Sequence, residues 1–255
     1  MSAELTSDQM QRYRKQLILE SIGENGQKKL LSSKALVAGV GGLGSPAALY
    51  LASCGVGTIG LLDSDNLELS NLHRQILYNT ADIGKPKVFL AENRLKDLNP
   101  GVNIRTHDVR MDENNARGLI EGYDVVLDCS DNFETKYIIN DSCVLLKKAL
   151  AHGGIYGMEG HMTFVLPGGR PCYRCLFPEL PGPGAFRDCR QEGLLGSVPA
   201  VIGSLQANEA LKYLLGIGTV LSGRLLRYDA MTGDVKISEY KKNGRCPVCG
   251  KGKIT

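Results

Sequence analysis

The stretch Leu36-Val37-Ala38-Gly39-Val40-Gly41-Gly42-Leu43-Gly44-Ser45-Pro46 decides the fold. Its first three residues read as a short buried strand, and residues 46–54 have helical composition with a proline near the first turn, where its missing N–H is tolerated. Between them, Gly39, Gly41 and Gly44 have the Gly-x-Gly-x-x-Gly spacing that lets backbone approach a phosphate at a helix N-terminus. Further along, residues 58–62 form a second strand ending at Asp63, about 20 residues past the turn, where a carboxylate can accept hydrogen bonds from ribose hydroxyls. Residues 35–62 carry no charge and outlast the roughly 20 residues of a membrane span. Seven glycines and Pro46 inside them fit strand, turn, helix and strand instead.

The same alternation continues. Residues 87–98 have helical spacing stopped by Asn99-Pro100-Gly101, residues 102–106 alternate like a strand, and residues 124–128 are a compact apolar run. Residues 134–148 read as a helix leading into a strand at 149–151. This order predicts an α/β fold with a Rossmann-like, mainly parallel sheet. Past His152, residues 161–166, 224–228 and 234–240 predict an antiparallel C-terminal extension, and residues 199–215 a long apolar helix. No linker or repeat divides the chain, so residues 1–255 read as one domain with an N-terminal helical arm (1–31) and a mobile loop region (172–196) rich in Gly and polar residues.

Composition supports a folded chain: 43% of the 255 residues are hydrophobic and 22% charged, near the globular average. A net charge of +3 gives no ground for a nucleic-acid or anionic-membrane partner. Residues 1–13 lack the apolar core of a signal peptide, so a cytoplasmic protein is expected. Glycine is the outlier, with 31 residues against an average near 7%.

The glycine turn and Asp63 suit a nicotinamide dehydrogenase equally well, and Asp63 also reads as a strand-end turn residue. The next segment favours another chemistry. Ser70-Asn71-Leu72-His73-Arg74-Gln75 and Gly84-Lys85-Pro86-Lys87 concentrate cations and amides where hydride transfer needs none. Arg74 can fork onto phosphate oxygens and Lys87 can supply a compact charge, which suits phosphoryl or adenylyl transfer. Asp128-Cys129-Ser130-Asp131-Asn132 closes a strand at the carboxyl edge of the sheet, where ligands of such sheets bind. There Asp131 suits the Mg2+ that accompanies ATP, although Asp131-Asn132 also reads as a helix cap before Phe133.

Eight cysteines stand at 54, 129, 143, 172, 175, 189, 246 and 249. Cys172-x-x-Cys175 and Cys246-x-x-Cys249 have the spacing of a four-thiolate Zn2+ site, closed and therefore structural. Iron, or a pair of redox dithiols, fits the same ligands. Cys54, Cys129 and Cys143 read as small buried hydrophobes. Cys189 lies between Arg187 and Arg190 in the glycine-rich loop, where a reactive thiolate and an inert thiol are equally open.

These motifs in this order resemble the ThiF/MoeB family, bacterial relatives of ubiquitin-activating enzymes. The likeness runs from Arg12-Tyr13 and Gln16 through the glycine turn, Leu61-Leu62-Asp63, residues 70–75, 84–87 and 128–132, to Gly203-Ser204-Leu205-Gln206-Ala207 and the cysteine pairs. The resemblance implies an ATP-dependent adenylyltransferase. It would activate the C-terminal glycine of a ubiquitin-like sulfur-carrier protein ending in Gly-Gly as an acyl adenylate, releasing pyrophosphate. It implies ATP contacts at Gly42, Asp63, Ser70, Asn71, Leu72, His73, Arg74, Lys87, Asp131 and Asn132, with Gly39, Gly41 and Gly44 forming the turn. It further implies Mg2+ on Asp131, Zn2+ on the paired cysteines, and in Cys189 the family cysteine that can carry the activated carrier tail as a thioester or acyl disulfide. A homodimer is implied too, the arm sending a cation into the neighbour's site. The family arm reads Arg-Tyr-x-Arg-Gln; here Arg14 stands one place early and Lys15 takes the expected arginine position, losing the bidentate fork. Sulfur is expected from a separate protein such as a cysteine desulfurase. Two other classes fit parts of the pattern: an NAD-dependent oxidoreductase, and a non-catalytic nucleotide-binding assembly subunit.

Overall fold

A computed structural model describes residues 4–169, 171–179 and 193–250. The arm is broken into α1 (Ser7–Arg12), α2 (Arg14–Leu17) and α3 (Gly23–Ser32). Thr6 and Gln9 form a reciprocal capping box at the start of α1. There follow β1 (Lys34–Ala38), α4 (Gly44–Ser53), β2 (Thr58–Leu62), α5 (Lys87–Leu98), β3 (Asn103–His107), α6 (Ala116–Ile120), β4 (Val125–Asp128) and α7 (Phe133–Leu145). The remainder is β5 (Ala149–Tyr156), β6 (Glu159–Val165), α8 (Tyr173–Leu176), α9 (Ser197–Leu215), β7 (Arg224–Asp229) and β8 (Val235–Glu239).

Among the described residues the strands form one eight-stranded sheet in the order β3-β2-β1-β4-β5-β6-β7-β8. Pairing is parallel from β3 to β5 and antiparallel from β5 to β8, as the sequence pattern predicts. The central strands are apolar without a break because both faces are covered. In β1, Ala35 and Val37 pack into the core under α4, α5 and α9, while Leu36 and Ala38 join the opposite core with Ile139 and Cys143 of α7. Small residues along α4, Ala47, Ala48 and Ala52, let α9 come close: a Cβ on Gly203 of α9 would lie 2.1 Å from the Leu43 carbonyl oxygen.

Two elements differ from the sequence reading. Strand β5 runs five residues past 151, because Gly153 and Gly154 are not breakers. They are close-approach positions, where a Cβ would meet Gln206 and His161 at 2.5 Å. Strand β6 accordingly begins earlier, after a two-residue hairpin turn at Gly157-Met158 in which Gly157 has φ +58°. Of the loop region expected to be mobile, residues 180–192 lie outside the described part. Among the described residues no helix is long and apolar enough to cross a membrane.

Candidate functional site

The parallel register aligns the ends of β2, β1 and β4: Ala38 pairs with Leu62 on one side and Asp128 on the other. Gly39, Asp63 and Cys129 therefore leave the sheet side by side. Gly39 has φ +93°, and a Cβ there would sit 2.7 Å from the Cys129 carbonyl oxygen, so only glycine fits this exit. Across the turn, a Cβ on Gly44 would lie 2.0 Å from the Gly39 carbonyl oxygen, whereas at Gly41 the nearest atom is 3.5 Å away. Gly39 and Gly44 shape the turn, and Gly41 leaves room above it. Helix α4 starts here with no side-chain cap, but the Ser45 amide donates to the Gly41 carbonyl at 2.9 Å, residue 46 is a proline without an N–H, and the Ala47 amide donates to the Leu43 carbonyl at 3.4 Å. An anion here would therefore meet the turn before the helix and not the amides of its first turn.

Asp63 braces this turn. Its Oδ2 accepts from the Val40 amide at 2.8 Å and its Oδ1 from the Asp65 amide at 2.9 Å. Burial pushes its carboxyl above the usual range, with Lys87 pulling the other way. Lys87 is the first residue of α5, its side chain only 6% exposed, with Nζ 3.0 Å from Asp65 Oδ2. The helix dipole opposes a cation at that end. Asp65 was not visible as a partner in the sequence because its role depends on the turn after β2.

Residues 70–75 run beside the glycine turn. Arg74 Nη1 donates to the Ser70 carbonyl at 2.9 Å, and its Cδ would be 3.5 Å from a Cβ on Gly42. Asn71 caps its own short 3-10 turn, its Oδ1 accepting from the Glu68 amide at 3.3 Å, and Leu72 packs on the core. Ser70 is exposed and donates to Glu68 Oε2 at 3.2 Å, while exposed His73 places Nδ1 3.0 Å from the Ser70 carbonyl. Two buried polar atoms around the turn, Ser45 Oγ and Gln75 Oε1, have no hydrogen-bond partner. Such atoms suit a polar ligand.

At the end of β4, Asp131 is exposed and Asn132 caps α7 by accepting from the Thr135 amide at 2.9 Å. The cap expected of this pair falls to Asn132, while the exposed Asp131 carboxylate accepts from Asn132 Nδ2 at 3.3 Å through Oδ1. The sequence reading gave no role to what lies beneath. Asp128 is wholly buried, its Oδ2 2.7 Å from His152 Nδ1 and its Oδ1 3.5 Å from Lys136 Nζ. Burial alone would raise this carboxyl, but Lys136, His152 and Ser130 outweigh it and hold it well below the usual carboxylate range.

Arg14 and Lys15 are exposed on α2, and their neighbours anchor the arm. Tyr13 is buried with its hydroxyl accepting from Asn99 Nδ2 at 2.9 Å, and Gln16 Nε2 donates to Gln27 Oε1 at 3.0 Å. Neither Arg14 nor Lys15 forms an ion pair among the described residues of its own chain.

The four paired cysteines converge, their sulfurs all within 4.8 Å of one another. Cys172 and Cys246 are 3.6 Å apart and Cys175 and Cys249 3.3 Å. A tetrahedral Zn2+ with Zn–S bonds of about 2.3 Å places sulfurs about 3.8 Å apart, so the set fits that ion. Cys129 and Cys143 are buried, where burial first and Asp128 second push their thiols up, and Cys54 is partly buried with its thiol raised by burial. Cys189 lies outside the described residues.

The ThiF family profile matches residues 13–248 of the chain. The chain is 47% identical over 250 residues to a Thermus thermophilus protein named sulfur carrier protein adenylyltransferase, covering 96% of this chain and 92% of that one. It is 45% identical over 254 residues to the SAMP-activating enzyme E1 of Haloferax volcanii, covering 100% of this chain and 94% of that one. In shape it is similar to E. coli MccB as crystallised with MccA-N7isoASN, with a TM-score of 0.83 at 23% identity over 94% of this chain and 75% of that one.

Proposed function

The chain belongs to the ThiF family, and from that premise we propose how its site works. It is an adenylyltransferase that uses ATP to activate a ubiquitin-like sulfur-carrier protein. The carrier's terminal glycine carboxylate attacks the α-phosphate of ATP. A carboxyl–phosphorus bond forms, the bond to the β-phosphate bridging oxygen breaks, and pyrophosphate leaves with that electron pair. No protein acid or base is needed, because an α-carboxyl is ionised at neutral pH. Catalysis comes from alignment and charge stabilisation.

The observation behind this reading is Lys87, a desolvated cation at the helix end that disfavours it, beside Asp63. With Arg74 at Gly42, it faces the phosphate chain and stabilises the charge that develops on pyrophosphate. The glycine turn lets the phosphates approach the backbone, Ser45 Oγ, which has no partner, donates to a phosphate oxygen, and Asp63 holds the ribose. Asp131 would hold Mg2+, which supplies further charge neutralisation on the phosphates. A nicotinamide-dependent reading leaves Arg74 and Lys87 without a role.

After adenylation, either the Cys189 thiolate attacks the acyl carbonyl, so that a thioester forms and AMP leaves, or a separate sulfurtransferase takes the adenylate directly with the same loss of AMP. A separate sulfur donor such as a cysteine desulfurase then supplies sulfur. The enzyme acts as a homodimer in which Arg14 or Lys15 reaches the neighbour's phosphates, and it works in the cytoplasm, a reading supported by thiols arranged to suit Zn2+ instead of disulfides. The test is exchange of labelled pyrophosphate into ATP, dependent on a carrier ending in Gly-Gly. Exchange is expected in the wild type and strongly reduced in Arg74→Ala. Full exchange in Arg74→Ala removes Arg74 from the mechanism.

A further inference from the structure

The buried cluster behind Asp131 contains a histidine with a defined and unusual set of partners. His152 stands directly opposite Asp128 in the parallel pairing of β4 and β5 and is 1% exposed. Its Nδ1 lies 2.7 Å from Asp128 Oδ2, so Nδ1 carries the proton and donates it to the carboxylate. The other nitrogen, Nε2, is buried with no hydrogen-bond partner. One edge of the imidazole therefore addresses Asp128 alone.

The other oxygen of Asp128 addresses the turn. Oδ1 accepts from the Ser130 amide at 3.1 Å and the Ser130 hydroxyl at 2.6 Å, which fixes the backbone immediately before Asp131. Lys136 Nζ, 3.5 Å from the same oxygen, also donates to the Gly153 carbonyl at 2.8 Å, and Gln206 Nε2 ties the Asp128 and Ala151 carbonyls together at 2.8 and 2.9 Å. The face of the imidazole packs on Tyr173, with ring centroids 4.0 Å apart. Tyr173 sits between Cys172 and Cys175, its amide held by Asn140 Oδ1 at 2.9 Å. One side chain thus touches both the support of the Asp131 turn and the helix that carries half of the cysteine cluster.

We propose that His152 is a positioning residue for the magnesium–nucleotide complex: through its hydrogen bond to Asp128, and not through its ring contact with Tyr173, it sets the Ser130-Asp131 turn. This rests on the reading of Asp131 as the magnesium carboxylate. His152 touches neither nucleotide nor metal. It acts by denying Asp128 Oδ2 any other orientation, so that Oδ1 stays on Ser130.

Two substitutions separate its edge from its face. In His152→Asn the side-chain amide occupies the place of Nδ1 and still donates to Asp128, but the ring is lost. In His152→Phe the ring remains on Tyr173 and the donor is lost. Both are made in the full chain with its metal, and ATP binding is measured by calorimetry with and without Mg2+, alongside zinc content and the kcat and KM of pyrophosphate exchange. Losing a hydrogen bond to a charged group is expected to weaken MgATP binding and raise its KM about tenfold in His152→Phe, with ATP binding in the absence of Mg2+ and zinc content unchanged. His152→Asn is expected to stay within about threefold of wild type. Ser130→Ala, which cuts the same path one bond further on, is expected to reproduce the loss and serves if His152→Phe does not fold. The proposal is overturned if His152→Phe or Ser130→Ala binds MgATP as tightly as wild type, or if His152→Asn loses as much as His152→Phe. A wild type that binds no MgATP overturns the adenylyltransferase reading as well, whereas normal wild-type binding with any of those patterns overturns the role of His152 alone.

Discussion

Lys87→Met separates catalysis from stability. The side chain is 6% exposed, and its partner Asp65 is 66% exposed, so the pair is desolvated on one side only. Water screens Asp65, which limits what the pair contributes to folding to about 1 kcal/mol or less. The α5 dipole opposes the cation by roughly 0.3–1 kcal/mol, so these two effects nearly cancel. Methionine has a similar length and fills the same slot without a charge. Its net effect on stability is therefore within about 1 kcal/mol, or about 2–4 °C in Tm for a chain of this size. The rate behaves differently. Removing a preorganised group that stabilises transition-state charge costs about 10²–10³ in turnover, or about 2.7–4 kcal/mol. Carrier-dependent pyrophosphate exchange and urea unfolding, run on the same preparations, measure the two effects. A Lys87→Met enzyme within threefold of wild-type rate refutes the catalytic role. One that loses 3 kcal/mol or more of stability refutes the claim that this cation is held for chemistry.

The glycine turn gives a second contrast. Gly44→Ala forces a Cβ to 2.0 Å from the Gly39 carbonyl oxygen and is expected to cost about 2 kcal/mol or more, while Gly41→Ala, with nothing nearer than 3.5 Å, is expected to stay within about 0.5 kcal/mol in denaturant unfolding. Asp128→Asn leaves Lys136 buried without its carboxylate and is expected to cost about 3–5 kcal/mol at neutral pH. Because the folded carboxyl is held below the ordinary value near 3.9, its contribution is complete above that pH and fades as pH falls through the folded value; the deficit of Asp128→Asn, followed by unfolding against pH, should shrink in acid. Elemental analysis should find about one zinc per chain, and Cys249→Ser or chelation should lower the unfolding midpoint.

The sequence revealed what is local in the chain. A strand, a glycine turn and a helix follow one another within residues 34–53, and Cys-x-x-Cys spacing is a property of neighbours, so both were legible. Asp63 was legible for the same reason, by its place at the end of β2. What stayed hidden depends on strand pairing. Asp128 and His152 are 24 residues apart and meet only through the β4–β5 register, and Lys87 finds Asp65 only once the chain has turned back after β2. The length of β5 was misread because Gly153 and Gly154 carry the same symbol as a turn residue while serving as contact surface for Gln206 and His161.

The reaction turns on one bond, between the carrier's carboxylate and the α-phosphate of ATP. A carrier whose terminal carboxylate bears heavy oxygen, incubated with the enzyme and MgATP and captured with an amine, tests it directly by mass spectrometry of the nucleotide. AMP carrying one heavy oxygen, because the amine cleaves the acyl carbon–oxygen bond, is the predicted result. Unlabelled AMP, or ADP with phosphate in place of AMP with pyrophosphate, would contradict it.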